Sequence, residues 1–474
     1  MIMSPILELN HAIEMIEGNT DDSRVLVLNT GAELTAEDVA MLQALYSRSP
    51  DSVLNHLNKL AKVGSGKFMD LYYVGYGHKS IGDCGTTVIF IEGVSMLTAK
   101  AIQDSMLYNG QECSTRYLDF STQPFLTSAT ASPSLFGLSE VSVLERWRQF
   151  YVSNLDQVKA HVAKQFPRQE DEEEAVYQKA VNARAFDIMR SFLPAGASTS
   201  LSWATNLRQA TDHLKLLLCH PLLEVRRVAE AIQKALMQTH PNSFRRSTSS
   251  EEVSYCRWWM EDFYLYQGSV SHHKMKEGVS YKHAFFDGGG LSRYKSILES
   301  RPRGVEIPKK LGSLGVMQFE FLLDFGSYRD IQRQRAVIQQ MPLLTTEYGF
   351  EKWYLEQLPE DVREEAVVTL GVFEHGVISD LTRQFGKVEA QYFIPMGYRV
   401  PCQVTGDLPA LVYLVELRAG AMVHPTLRLR AQQMAKVLET HFGPSSGLVL
   451  HVDYSEVGRF DSRRGGQDIV AKPL

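Results

Sequence analysis

Cysteine is scarce in this chain: five residues in 474, Cys84, Cys113, Cys219, Cys256 and Cys402, an odd number with no pair at metal-ligand spacing. That pattern excludes a disulfide-stapled secreted scaffold and a cysteine-built metal cluster, and points to a reducing, cytoplasmic setting. Long apolar runs are missing, so no segment is expected to span a bilayer. The first residues, Met1 to Glu8, lack the basic head and apolar stretch of a signal peptide. Charge of one sign is not in excess either: 49 Lys and Arg stand against 55 Asp and Glu, a net charge of -6. Nothing in that balance suggests a nucleic-acid partner, although local basic pockets remain possible. With 44% hydrophobic and 22% charged residues the composition is that of a soluble globular protein. The length suggests two or three domains.

What the chain does have is organised around a short stretch, Glu112-Cys113-Ser114-Thr115-Arg116-Tyr117. In extended backbone alternate side chains share a face, so Glu112, Ser114 and Arg116 could address one ligand. A guanidinium with a neighbouring hydroxyl suits a phosphate, and a carboxylate suits a sugar or base. Taken alone, the hexapeptide reads as a solvated edge strand, and its weight comes from what surrounds it.

The surrounding sequence alternates helix and strand signals. Thr35 followed by acids is a helix start, and Val53, Leu54, Leu57 and Leu60 mark a second helix. Gly75 to Ser80 reads as a turn, Thr86 to Ile91 as a strand, and Ser95 to Tyr108 as a helix. The acidic run Glu170 to Glu174 reads as a helix start, continuing to a stop at Pro194. Trp203 to Leu218 and Leu222 to Met237 are expected to be helices. From Pro241 to about Gly290 no clear periodicity appears, and Gly288 to Gly290 reads as a hinge. His272 and His273 read as loop histidines.

The second half repeats the order of the first. Met317 to Leu323 alternates as a strand, and Ser327 to Arg335 is helix-like. Phe393-Ile394-Pro395 echoes Phe192-Leu193-Pro194, and His424-Pro425-x-Leu-x-Leu-Arg430 echoes His220-Pro221-x-Leu-x-Val-Arg226. The offsets agree closely, 395 − 194 = 201 and 424 − 220 = 204. The preserved order implies a tandem duplication: residues 1–240 as a first copy, 241–300 as a connection, 301–474 as a second copy.

Both copies resemble flavin-dependent thymidylate synthases, the ThyX type. That family has a strand, an Arg-His-Arg helix, Glu-x-Ser-x-Arg-Tyr, an Asn-x-Arg segment and a downstream histidine. The resemblance covers most of residues 65–240 and 310–445. It implies an α/β (α+β) fold of two tandem ThyX-like domains, each a twisted sheet with packed helices.

On that resemblance Glu112, Ser114, Arg116 and Arg190 bind the nucleotide. His78 and Ser80, in Gly77-His78-x-Ser80, and Asn206 and Arg208, in Asn-Leu-Arg, contact the flavin. The turn histidine reads equally as a residue capping backbone groups. Two departures stand out in the first copy: Asp104-Ser105-Met106 replaces Arg-His-Arg, and Leu217 replaces the arginine that polarises the uracil ring. The second copy complements it. Arg333-Gln334-Arg335 resembles Arg-His-Arg, with Arg333 serving substrate and flavin and Arg335 the flavin. Arg418 holds the ring-polarising position and His424 the downstream histidine. Met341 to Thr346 lacks the nucleotide motif, and Asp407 and Pro409 replace the Asn and Arg of Asn-x-Arg.

The implied activity is reductive methylation of dUMP to dTMP, with FAD as cofactor and NADPH and methylenetetrahydrofolate as co-substrates. Arg418 and Ser114 are the expected catalytic residues, and no metal is expected. The two copies are expected to form composite sites, and two chains a homodimer that acts as a pseudo-tetramer of ThyX-like domains. The alternatives are FAD-dependent modification of another pyrimidine nucleotide and a non-catalytic flavin- or nucleotide-binding paralogue.

Overall fold

The computed structural model describes residues 11–20, 23–28, 34–47, 53–115, 119–126, 140–244, 249–265 and 277–455. They open with β1 (His11–Met15), β2 (Arg24–Leu28), α1 (Ala36–Tyr46), α2 (Val53–Val63) and α3 (Gly66–Phe68), which runs into a π-helical turn at Met69–Gly75. A 3-10 turn, Lys79–Cys84, leads to β3 (Thr86–Ser95) and α4 (Met96–Gln103). Next come α5 (Glu140–Gln165), α6 (Glu174–Met189), β4 (Ser198–Asn206), α7 (Leu207–Leu217), α8 (Leu223–Thr239) and α9 (Ser250–Leu265). The order continues with β5 (Val279–Phe286), α10 (Gly288–Ser292), α11 (Lys295–Glu299), a 3-10 turn at Lys309–Leu314, β6 (Gly315–Asp324) and α12 (Phe325–Ile331). It closes with β7 (Ile338–Gln340), α13 (Lys352–Glu356), α14 (Glu360–Val372), α15 (Ile378–Ala390), β8 (Arg399–Asp407), α16 (Leu408–Arg418) and α17 (Pro425–Ser446). The fold is therefore mixed helix and sheet, and no described helix is long and apolar enough to cross a membrane.

The chain divides into two compact units. Unit 1 takes Met1–Cys113, Pro124–Ala131 and Ala197–Asp262; unit 2 takes Ser114–Gln123, Ser132–Gly196 and Phe263–Leu474. Helices α5 and α6 precede β4 in the chain, yet they group with unit 2.

Unit 1 is built on an antiparallel sheet of order β1-β2-β3-β4. Thr87, Ile89 and Ile91 of β3 face the core while Phe90 stays partly exposed, as a period of two requires. The helix starts are set locally. Thr35 and Asp38 form a capping box on α1, and Ser95 accepts from the amide of Thr98 to open α4. Beyond β4 the chain adds short bridges, Asn109 to Ala204 and Glu112 to Leu201.

Unit 2 holds a second antiparallel sheet, of order β5-β6-β8-β7. Its central strand β6 alternates at first, then buries both faces from Phe319 onward. Glu320, on the face opposite Phe319, is buried and accepts from the side-chain amide of Gln403 at 3.1 Å.

Within unit 2 the two Pro-containing turns pair with each other, Pro194 opposite Pro395. Ala195 N donates to Ile394 O and Met396 N to Leu193 O, both at 2.9 Å. Gly196 N donates to Tyr392 O and Gly397 N to Ser191 O, both at 2.8 Å. A shift of 201 residues turns each bond into its partner with donor and acceptor exchanged. That reciprocity is the signature of a local two-fold axis. Gly397 is required there, because a Cβ would lie 2.3 Å from the Phe350 ring and 2.9 Å from Ser191 Cβ.

Several expectations change. Trp203 to Asn206 finish β4 and are not helical; Asn206 accepts from Gln209 N at 2.8 Å, so the helix begins only after its cap. The helix expected from Ser95 to Tyr108 ends at Gln103. The stretch from Pro241 to Gly290 contains α9 and β5, and the latter is the edge strand of the second sheet. Gly288 to Gly290 form the first turn of α10, capped by Asp287 through Gly290 N at 2.8 Å, instead of a hinge. His272 and His273 lie outside the described residues.

Candidate functional site

In unit 1 the turn before the 3-10 helix and the outward face of α7 enclose a small cleft of about 40 Å³. Gly77, Lys79, Arg208, Asp212, Lys215 and Tyr73 contribute to its lining. Gly77 adopts φ of +68°, a conformation that favours glycine and lets the chain reverse at this point. Arg208 and Lys215 are seven residues apart on α7, so they share one face. Three cations thus border one cleft, each held by an acid. Arg208 Nε donates to Asp83 Oδ1 at 2.7 Å, Lys215 pairs with Glu252 at 2.5 Å, and Lys79 lies 3.9 Å from Asp212. Burial, with Asp212 and Asp83 nearby, pushes the Tyr73 phenol above its ordinary range against a hydrogen bond with Thr211.

The turn residues His78 and Ser80 are exposed beside this cleft. His78 lies against Tyr72 and Tyr76, ring centroids 6.2 and 6.0 Å away, and its carbonyl accepts from Ile81 N. Asn206 spends its side-chain oxygen on the α7 cap. Glu112 accepts from Gln103 Nε2 at 2.7 Å and from Thr199 Oγ1 at 3.5 Å. Asp104 is bound to Lys100 at 2.8 Å, with both side chains almost wholly buried. Leu217 is core.

Unit 2 gathers a different set. Arg190, 2% exposed, donates from Nη2 to Ser327 Oγ at 3.3 Å and lies 3.9 Å from Asp330. Ser327 Oγ is also 3.2 Å from His424 Nδ1 and 2.7 Å from Thr426 Oγ1. Asp324 caps α12 through Ser327 N and accepts from Tyr354 O–H at 2.8 Å. His424 is fully buried against Trp353 and Tyr354. Burial opposes the charge of Arg190, yet Tyr354, Asp187, Asp330 and Asp324 together hold its pKa above the ordinary value. Burial beside Asp324 drives the Tyr354 phenol well up. Arg329 reaches Thr115 Oγ1 at 3.4 Å.

The structure thus brings Arg190 and His424 into one buried network. Arg418 ends α16 and is half-buried; Arg333 is exposed, Gln334 buried and Arg335 half-buried. Ser114 is half-buried in unit 2, and Arg116 lies outside the described residues. Sequence reasoning missed Lys79 and Lys215 in unit 1, although the seven-residue spacing from Arg208 was a usable signal. It also missed Asp324 and Ser327, whose Asp-x-x-Ser pattern at the end of a strand is a helix-start signal. Among the described residues no group of His, Cys, Asp or Glu is arranged to hold a metal ion.

A family profile, thymidylate synthase complementing protein, matches residues 27–242. The match takes in the turn at His78, the cleft with Arg208 and the stretch around Glu112. At whole-chain level a UPF0159 protein of Chlamydia muridarum is 25% identical over 97% of this chain and 95% of its own length. UPF0159 proteins of Chlamydia pneumoniae and Thermoplasma acidophilum are 24% and 23% identical, over 84% and 88% of this chain and 82% and 95% of theirs.

Proposed function

We propose that the protein is a flavin-dependent enzyme of the thymidylate synthase type, acting on dUMP with FAD, NADPH and methylenetetrahydrofolate. The observation that carries this reading is the unit 1 cleft, where the Gly77 turn and Arg208 converge with Lys79 and Lys215. Two ammonium groups and a guanidinium border a cleft that takes one phosphate and no ring system; to hold a phosphate of FAD they would exchange their partners Asp212, Glu252 and Asp83 for its oxygens. Lys79, Arg208 and Lys215 would hold that phosphate, with His78 and Ser80 beside it. When bound, the flavin supplies the hydride chemistry. The chain's own part is to bind and orient, and to stabilise charge on the uracil ring through a fixed guanidinium, for which Arg418 is the candidate. Ser114, Glu112 and Arg116 complete the nucleotide set, and Arg333, Arg335 and His424 the remainder.

The duplication is part of the same proposal. It is supported by the reciprocal bonds around Pro194 and Pro395 and by matching caps: Asn206 on α7 and Asp407 on α16 stand 407 − 206 = 201 residues apart. A homodimer is supported by unit 2. There α5 and α14 run antiparallel, joined by Asn154 to Glu365 at 3.3 Å and by Trp147 edge-on to Phe373 at 5.3 Å. Between them lies a groove of about 530 Å³, with Arg146 on one wall and Glu365 on the other and Val368 68% exposed beside it. A second copy turned about a two-fold axis would set opposite charges together and cover the valines.

The non-catalytic paralogue is favoured by a specific observation: the buried Lys100–Asp104 pair fills the first Arg-His-Arg position, and Gln334, which cannot ionise, the second. Two assays separate the readings. Enzymatic dTMP formation from dUMP, or complementation of a thymidine auxotroph, supports the enzyme. FAD uptake without either supports the paralogue.

A further inference from the structure

Unit 2 has its own cleft at the place where unit 1 has the cationic one: between the segment before a 3-10 turn and the outer face of the helix after a sheet strand. Its walls are the loop from Arg301 to Ile307 and the α16 face formed by Pro409, Val412, Tyr413, Glu416 and Leu417. The helix positions correspond one for one at a constant shift of 201. Arg208 is exchanged for Pro409, Thr211 for Val412, Asp212 for Tyr413, and Lys215 for Glu416. Three of these four helix positions are now apolar or aromatic and the fourth carries the opposite charge, and the volume has grown from about 40 to about 260 Å³.

The cleft is preformed by a closed set of bonds. Arg301, 7% exposed, grips Glu416 with both terminal nitrogens and also donates to Val305 O at 2.6 Å and Val449 O at 3.0 Å. His451 adds a bond from its amide to Glu416 Oε1 at 2.8 Å and one between its ring Nε2 and Arg301 O at 2.9 Å. This cage fixes the loop against α16, so the cavity does not depend on an occupant to stay open. It also neutralises Glu416, so the floor does not repel an anion. Asp453 is paired with Arg428 at 3.5 Å and also feels the charge of Arg303, whose guanidinium is exposed at the rim. Glu306 is the remaining exposed acid of the lining. Tyr413, 45% exposed, offers a ring face, and Val412, Leu417 and Ile307 offer an apolar bed.

We propose that this second cleft binds an aromatic ring system carrying an anionic group, the ring resting on Tyr413 and the aliphatic wall and the anion reaching Arg303. Ring stacking and apolar burial give affinity there. The guanidinium supplies a charge-assisted bond that selects the anion.

The test uses two fluorescent probes of similar ring content on the full chain: 8-anilino-1-naphthalenesulfonate, which is anionic, and N-phenyl-1-naphthylamine, which is neutral. Arg303→Glu and Tyr413→Ala change exposed side chains, and far-ultraviolet circular dichroism verifies that both variants fold. Arg303→Glu is expected to weaken the sulfonate roughly tenfold or more while leaving the neutral amine within about twofold. Tyr413→Ala is expected to weaken both probes about three- to tenfold. Val63→Glu, at the exposed end of α2 in unit 1, is expected to leave this binding unchanged. Sulfonate binding of wild-type strength in Arg303→Glu and Tyr413→Ala overturns the proposal. So does equal weakening of the neutral amine by Arg303→Glu, or loss of binding in Val63→Glu alone.

Discussion

Arg190 and Ser327 are 137 residues apart in the chain, and the guanidinium of one donates to the hydroxyl of the other across 3.3 Å in the interior of unit 2. Three acids, Asp187, Asp324 and Asp330, and the Tyr354 phenol surround that cation. Removing it leaves buried carboxylates without their counter-charge, the costly way to break such a cluster. Arg190→Met is therefore expected to destabilise the protein by about 3–5 kcal/mol. Urea denaturation measures this, and a change below about 1 kcal/mol would contradict the role assigned to the network.

Two histidines, His240 buried and His213 half-buried, set an acid limit. Burial pushes His213 down to about 4, against a hydrogen bond with Ile102 O, and burial pushes His240 down to about 4 as well. Their folded pKa values lie below the unfolded value of 6.5, so the unfolded chain takes up protons first as pH falls. Their stabilisation is complete above pH 6.5 and is lost as pH drops toward 4. Each is expected to contribute a loss on the order of 3 kcal/mol across that window. Denaturation midpoints against pH check this, and His213→Gln should flatten the curve.

The matching caps make a simple swap informative. Asn206 and Asp407 hold the same position on α7 and α16, each accepting from the amide three residues on. Asn206→Asp is expected to change stability by less than about 0.5 kcal/mol, whereas Asn206→Ala should cost about 1 kcal/mol. Equal losses in both variants would show that the amide nitrogen matters and that capping is not the main role.

Flavin affinity reads the unit 1 cleft. Arg208→Ala and Lys215→Ala are each expected to raise the dissociation constant for FAD about tenfold, as loss of a charge-assisted bond to phosphate implies. The wild-type affinity should also fall with added salt, since the contact is electrostatic and partly exposed. Isothermal titration checks both expectations. Unchanged affinity in both variants would remove the cleft from the flavin site.

Legibility followed locality. The α1 start was readable because Thr35 and Asp38 act on their own neighbours, and β3 because Thr86 to Ile91 is β-branched and aromatic. The β4 segment was not, since Trp203-Ala204-Thr205 suits either period and only sheet pairing with Ile89 and Val88 decides it. The same holds for β5, whose place beside β6 rests on pairing across some forty residues. In the site, Arg208 and the Gly77 turn were visible as motifs, and their convergence on one cleft was not. The Arg190 network was hidden for a stronger reason. Arg190, Ser327 and His424 come from three distant segments, and no local spacing announces such a meeting.

The most direct measurement asks whether this chain holds a flavin and uses it on a nucleotide. Protein purified, incubated with FAD and freed of excess should retain a visible flavin absorption band, and NADPH should bleach it faster when dUMP is present. Protein that stays colourless after that treatment, with no effect of dUMP, would contradict the proposed function.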